Sequence, residues 1–280
     1  MAPFPGDTGF ILPQRMFLTG DRDATNVRRY SGRVTDPLTD EPSPVSTRRA
    51  TRHQWGLRVL GVSLSALALA ILISATALSA ADLATGTLIA DVAVLAAMAT
   101  GVVVGFVYGA PRGILRFRAR DLLYGVVIGL ALRLVQGLVA QAAQGGAAAW
   151  PTATLDLQWV VFGALVPVVV SPLLEELFFR GVLLLSADTV FRRLTGSRVL
   201  AGIAATLVSS ALFVLAHGLT STLDVSAIVS LGAVALVTST IVLVQRRLWT
   251  AIVVHAVFNV TFVILQLAGS LGTAGAPALS

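Results

Sequence analysis

From Trp55 onward the chain alternates long apolar runs with short polar breaks. A helix needs about 20 predominantly apolar residues to cross a bilayer. Runs of that order lie at 57–80, 88–110, 121–143, 158–186, 199–217, 225–244 and 248–268. The pattern predicts an all-α fold: a polytopic transmembrane bundle of seven spanning helices. Glycine and alanine recur inside the runs, which suits close helix packing in lipid. Residues 1–54 differ. They hold Pro, Thr, Ser, Asp and Arg without a sustained apolar run, and TDPLTDEPSPVSTRRATR has the composition of a disordered tail. No apolar stretch of the secretory type follows the first residues. The expected division is a disordered cytosolic tail at 1–54 and a transmembrane domain at 55–270.

Composition agrees with the pattern: 56% hydrophobic residues against 12% charged, with a mean hydropathy of +0.85, too apolar for a soluble domain. A net charge of +6 would by itself admit a nucleic-acid ligand, but the placement of the arginines excludes one. Arg48, Arg49, Arg52 and Arg58 stand at the entry to the first run. Arg112, Arg116, Arg118 and Arg120 separate the second from the third, Arg192, Arg193 and Arg198 the fourth from the fifth, and Arg246 and Arg247 the sixth from the seventh. The intervening breaks, near Asp82, Asp156 and Asp224, carry none. The positive-inside rule then puts the N-terminus in the cytosol and the C-terminus outside, in the cytoplasmic membrane. The chain has no lysine and no cysteine, so it has no disulfide, thiolate metal site or cysteine nucleophile. Its richness in Ala, Val, Leu, Gly and Arg fits a GC-rich bacterial genome.

Ionisable residues inside spans are costly and are functional candidates by default. They are Arg133, Glu175, Glu176, Arg180, His217 and His255, with Asn259 as a neutral addition. In EELFFR, Glu176 and Arg180 are four apart and share a helix face. Glu175 is turned by about 100° from Glu176, away from that arginine, and is positioned to act as a general base toward water. Pro172 should loosen the helix just before them. Phe213 and His217 share a face, as do His255 and Asn259. An imidazole beside an amide can donate to an oxyanion or help hold a metal. This is not the HExxH zinc motif, because the glutamate is missing. Each pair has a plainer reading as a packing contact: a buried ion pair, a hydrogen-bonded core histidine, an interhelical amide. Together they make a hydrolytic constellation. Arg133, with Gln136 nearby, is either a packing residue or a contact for a substrate carboxylate.

EExxxRG, FxxxH and HxxxN, in that order on consecutive apolar segments within residues 120–268, resemble the CPBP family of intramembrane proteases. That family includes CAAX prenyl endopeptidases and bacteriocin-processing and immunity (Abi-type) proteins. The resemblance implies an intramembrane endopeptidase. Glu175 would activate water with help from His217, while His255 and Asn259 would form an oxyanion hole. Glu176 and Arg180 would support the site. It equally implies a metalloprotease in which one divalent metal, zinc foremost, is held by Glu175, His217 and His255, or a reaction without metal. The implied partners are the lipid bilayer and a peptide or membrane-protein substrate. Two other readings compete: a non-catalytic scaffold or immunity factor of the same family, and a proton-coupled transporter, for which no internal repeat is found. One feature of spacing stands out. His217 lies about 28 Å along its helix from residue 198, and His255 only about 10–12 Å from the start of its own. A shared site therefore requires either a fifth helix that starts well inside the cytosol and is tilted, or a deep aqueous cavity.

Overall fold

The computed structural model describes residues 55–144, 151–221 and 223–274; the tail expected at 1–54 lies outside them. Among the described residues every regular element is helical. The seven helices long and apolar enough to cross a membrane are α1 (Leu57–Ala80), α2 (Leu83–Val107), α3 (Ala119–Gln144), α4 (Trp159–Thr195), α5 (Arg198–Thr220), α6 (Val225–Gln245) and α7 (Trp249–Ala274). They mark the chain as a multi-pass membrane protein.

Several polar breaks in the pattern are helix caps, each a side-chain oxygen taking an N–H that the first turn leaves unpaired. Asp82 accepts from Thr85 N at 3.0 Å and Asp156 from Trp159 N at 2.7 Å. Ser197 accepts from Leu200 N at 3.3 Å and Asp224 from Ala227 N at 2.7 Å. Caps correct two boundaries expected from hydropathy. α2 starts at Leu83 rather than residue 88, because Asp82 sets its first turn. α4 runs to Thr195 rather than 186, because the amphipathic stretch ADTVFRRLT continues the helix past its apolar part until Gly196 turns left-handed at φ 67°.

α4 is the hub, and it is not wound uniformly. Trp159–Val170 and Glu176–Leu183 have i→i+5 hydrogen bonding, flanking one α-helical turn at Ser171–Glu175. The two prolines explain a local consequence. Ser171 N donates to Val166 O and so bypasses Pro167 O. The next donor in that register would be residue 172, a proline with no N–H. Asn259 of α7 takes the carbonyl instead: its Nδ2 donates to Pro167 O at 2.7 Å.

Beyond this point α4 buries Phe178, Phe179, Val182 and Leu184 almost completely. α1 pairs with α2, α5 packs on α4 and α6, and α3 packs along α7. The last contact needs glycine. A Cβ on Gly125 would stand 2.4 Å from Val253 Cγ1, and one on Gly129 2.8 Å from Val254 O, so small residues let α3 approach the backbone that carries His255.

The arginine-bearing connections share one end of the bundle. Leu248 N donates to Ile114 O at 3.0 Å and Trp249 Nε1 to Leu115 O at 2.7 Å, which joins the α6–α7 turn to the α2–α3 connection. Arg246 Nη2 lies 3.1 Å from Asp188 Oδ2, which joins that turn to α4. At the opposite end Ala153 N donates to Ser270 Oγ at 2.8 Å. The Arg246–Asp188 pair fixes the level of the α6–α7 turn well short of the end of α4. From Asp188, α4 continues for about 10 Å before the α4–α5 hairpin.

Candidate active site

The adjacent carboxylates of α4 go to different partners. Glu176 is fully buried; its Oε1 lies 3.2 Å from Arg180 Nη1 and 3.0 Å from His255 Nδ1. Arg180, also fully buried, donates from Nε to Thr238 Oγ1 at 2.9 Å and lies 4.1 Å from the centroid of the Phe213 ring. Aromatic stacking and a neighbouring carboxylate thus accommodate a guanidinium that lipid could not.

Glu175 turns to the histidines. Its Oε2 is 3.7 Å from His255 Nε2 and 3.9 Å from His217 Nε2, and this oxygen is buried without a hydrogen-bond partner. The far nitrogens of both rings define the protonation. His217 Nδ1 lies 3.0 Å from Phe213 O, an obligate acceptor, so Nδ1 carries the hydrogen. His255 Nδ1 carries one likewise, donated to Glu176. In a neutral His255 ring Nε2 then presents a lone pair toward Glu175. Both Nε2 nitrogens stand from Glu175 Oε2 at separations too long for direct hydrogen bonds. A water, with two O–H donors, can serve Glu175 Oε2 and the His255 Nε2 lone pair. The Phe213 ring packs against both imidazoles, at 4.4 Å from His217 and 5.7 Å from His255. The side chain of His217 is 29% exposed against 4% for His255, so His217 is the more open member.

Of the residues singled out in sequence, the structure brings Glu175, Glu176, Arg180, His217 and His255 into one connected cluster. Asn259, one turn beyond His255, has one amide hydrogen on Pro167 O and a second to offer. Arg133 stands apart. It donates from Nε to Thr261 Oγ1 at 3.1 Å, from Nη1 to Gln136 and from Nη2 to Phe258 O, and it lies 3.8 Å over the Phe258 ring. These contacts tie α3 to α7. Thr238 and the Phe213 carbonyl are members that sequence reasoning did not single out. Thr238 had no distinguishing signal: nearby Thr240 has the same chemistry and bonds only its own helix, at Leu236 O.

As they stand, Glu175, His217 and His255 are spaced more widely than the ligands of a tetrahedral zinc ion. Ligands of tetrahedral zinc lie roughly 3.4 Å from one another, given bonds of about 2.0–2.2 Å, and the two spacings to Glu175 are wider. Among the described residues no group of three His, Asp or Glu side chains is placed to hold a metal ion.

Residues 157–261 match the family model described as Type II CAAX prenyl endopeptidase Rce1-like. The matched segment runs from the start of α4 into α7 and contains all three motifs; α1 to α3, with Arg133, precede it. Comparisons with curated proteins and with solved structures return no significant match.

Proposed function

We propose that the protein is an intramembrane endopeptidase of the CAAX-protease type, hydrolysing a peptide bond with water activated at Glu175. The observation that carries this reading is Glu175 Oε2, a buried oxygen without a hydrogen-bond partner, at 3.7 and 3.9 Å from two imidazole nitrogens. The Rce1-like match over 157–261 supports it, since that is a protease family.

The chemistry runs on this chain's own groups. A water donating one O–H to Glu175 is held beside the two imidazoles. Glu175 removes a proton as the water oxygen bonds to the carbonyl carbon. The tetrahedral oxyanion is met by the free amide hydrogen of Asn259 and by His255. His255 donates from Nε2 as an imidazolium, with a second proton taken up from solvent before the step and kept through it, and Glu176 on its Nδ1 is the counter-ion this requires. The carbon–nitrogen bond breaks as the Glu175 proton passes to the leaving amine. The aqueous reaction is thereby moved into lipid. The substrate is a peptide segment of a membrane-associated protein, and the arginine end faces the cytosol.

The test is cleavage of a fluorogenic peptide library by the purified full-length protein in detergent, with and without a chelator. Glu175→Gln preserves shape but removes the base, and its rate should fall by about 10²–10⁴-fold with thermal unfolding unchanged. The chelator arm reports whether a divalent metal takes part. A Glu175→Gln protein that cleaves like wild type would sink the proposal. A folded wild type that cleaves nothing while the Glu175→Gln protein rescues a deletion phenotype would favour the scaffold.

A further inference from the structure

A cavity of about 840 Å³ opens at the arginine end, about 20 Å along α4 from Glu175. Arg112, Arg192, Arg193, Arg198 and Arg246 line it, against the single carboxylate of Asp188. The positive-inside rule accounts for arginines in these connections but not for their convergence. They come from three separate connections and face one concavity. Asp188 is 2% exposed and is consumed in holding two of them. Its Oδ1 accepts from Arg192 Nε at 2.9 Å, and its Oδ2 lies 2.9 Å from Arg192 Nη2 and 3.1 Å from Arg246 Nη2. Arg246 occupies a left-handed position, φ 55°, at the end of α6, where glycine is the usual residue. Its guanidinium is thereby fixed over Asp188. Arg112, Arg193 and Arg198 have no carboxylate partner among the described residues.

Like charges gathered in one hollow repel unless an anion joins them. Guanidinium groups prefer phosphate, whose oxygens accept paired N–H donors, and two of the five are already immobilised. The inner wall is apolar, with Trp55, Ile114 and Leu185, which suits a molecule that is charged at one end and greasy behind. Basic pockets between helices at a membrane edge are where anionic headgroups bind. We propose that this cavity binds a phosphate-bearing anion, supplied either by an anionic phospholipid headgroup of the adjoining leaflet or by a free oligophosphate. The proposal is independent of the hydrolytic reading, because nothing in it involves Glu175.

The experiment uses full-length protein in phosphatidylcholine nanodiscs and follows its unfolding midpoint. One arm adds increasing phosphatidylglycerol; the other adds inorganic pyrophosphate in solution. The variant Arg112→Gln/Arg193→Gln/Arg198→Gln leaves the Asp188 clamp intact. Wild type should be stabilised in a saturable way. Apparent affinity should fall about fivefold per arginine removed, on the order of 100-fold for the triple variant. A response to phosphatidylglycerol alone identifies the headgroup as the source, and a response to pyrophosphate identifies free phosphate. If the triple variant is less stable in phosphatidylcholine, the single variants Arg112→Gln and Arg198→Gln take its place, each expected to lose about fivefold. Equal responses of wild type and variant, or no response of wild type to either anion, would overturn the assignment.

Discussion

Arg180 shows what a single residue must satisfy at this depth. It is a charge with no exposure, and its partners come from three elements: Glu176 one turn away on its own helix, Thr238 on α6, and the face of Phe213 on α5. Removing one member of a buried pair leaves the other charged and alone, which typically costs about 3–5 kcal/mol. Arg180→Met should therefore destabilise the protein by that order in thermal unfolding. Adding Glu176→Gln should recover much of the loss, because no uncompensated carboxylate remains. Activity should not recover, since His255 loses the carboxylate that orients its Nδ1–H. Stability and cleavage moving together in the double variant would contradict the division between a base, Glu175, and a positioning residue, Glu176. That division was half legible in sequence. The i, i+4 spacing gave the Glu176–Arg180 pair, and the 100° turn separated Glu175 from it. The imidazole on Glu176 was not legible, because His255 lies 79 residues further on and no local pattern specifies its depth.

At the level of elements, the winding of α4 decides where these side chains point. Wide i→i+5 turns on both sides of Ser171–Glu175 rotate the carboxylates relative to a uniform α-helix, and such turns are frequent at functional sites. The sequence signal of Pro172 placed the loosening at that residue, whereas the wide turns flank it and its own turn is α-helical. It could not show that the freed carbonyl at Pro167 would be taken by Asn259, a partner 92 residues away. Asn259 thus has a structural bond as well as the catalytic role proposed for it. Pro172→Ala restores a backbone N–H where Pro167 O now has only the Asn259 side chain as donor. The expected outcome is a tighter α4 with an equal or higher unfolding temperature, and cleavage reduced more than about tenfold because Glu175 has rotated. Retained activity with the same stability would show that the wide turns are incidental to the site. The span boundaries were legible to within a few residues where apolar runs ended at caps. They were not legible at the end of α4, where charged side chains continue the helix beyond the apolar region.

Across the whole molecule the alternation of arginine-rich and arginine-free connections becomes a geometric fact: the α2–α3, α4–α5 and α6–α7 connections meet at one end through the Leu248–Ile114 and Arg246–Asp188 contacts. Which side of the membrane that end faces is a matter of charge. Asp121, fully buried where α3 begins, binds Arg247 Nη1 and Thr250 Oγ1, so the arginines there belong to a built surface as well as to the topology rule. Inverting the protein would carry several arginines across the hydrocarbon during insertion, and the translocation asymmetry for Lys and Arg opposes this. The absence of cysteine makes the orientation directly measurable, because one introduced thiol reacts without background. Leu194 at the arginine end is 75% exposed and Leu83 at the opposite end 81%. In right-side-out membrane vesicles an impermeant maleimide should label Leu83→Cys and spare Leu194→Cys, and in inside-out vesicles the pattern should reverse. The converse labelling would place the arginine end outside. The cavity would then face the wrong leaflet for anionic lipid supplied from the cytosol, and a free phosphate from the exterior would become the ligand to test first.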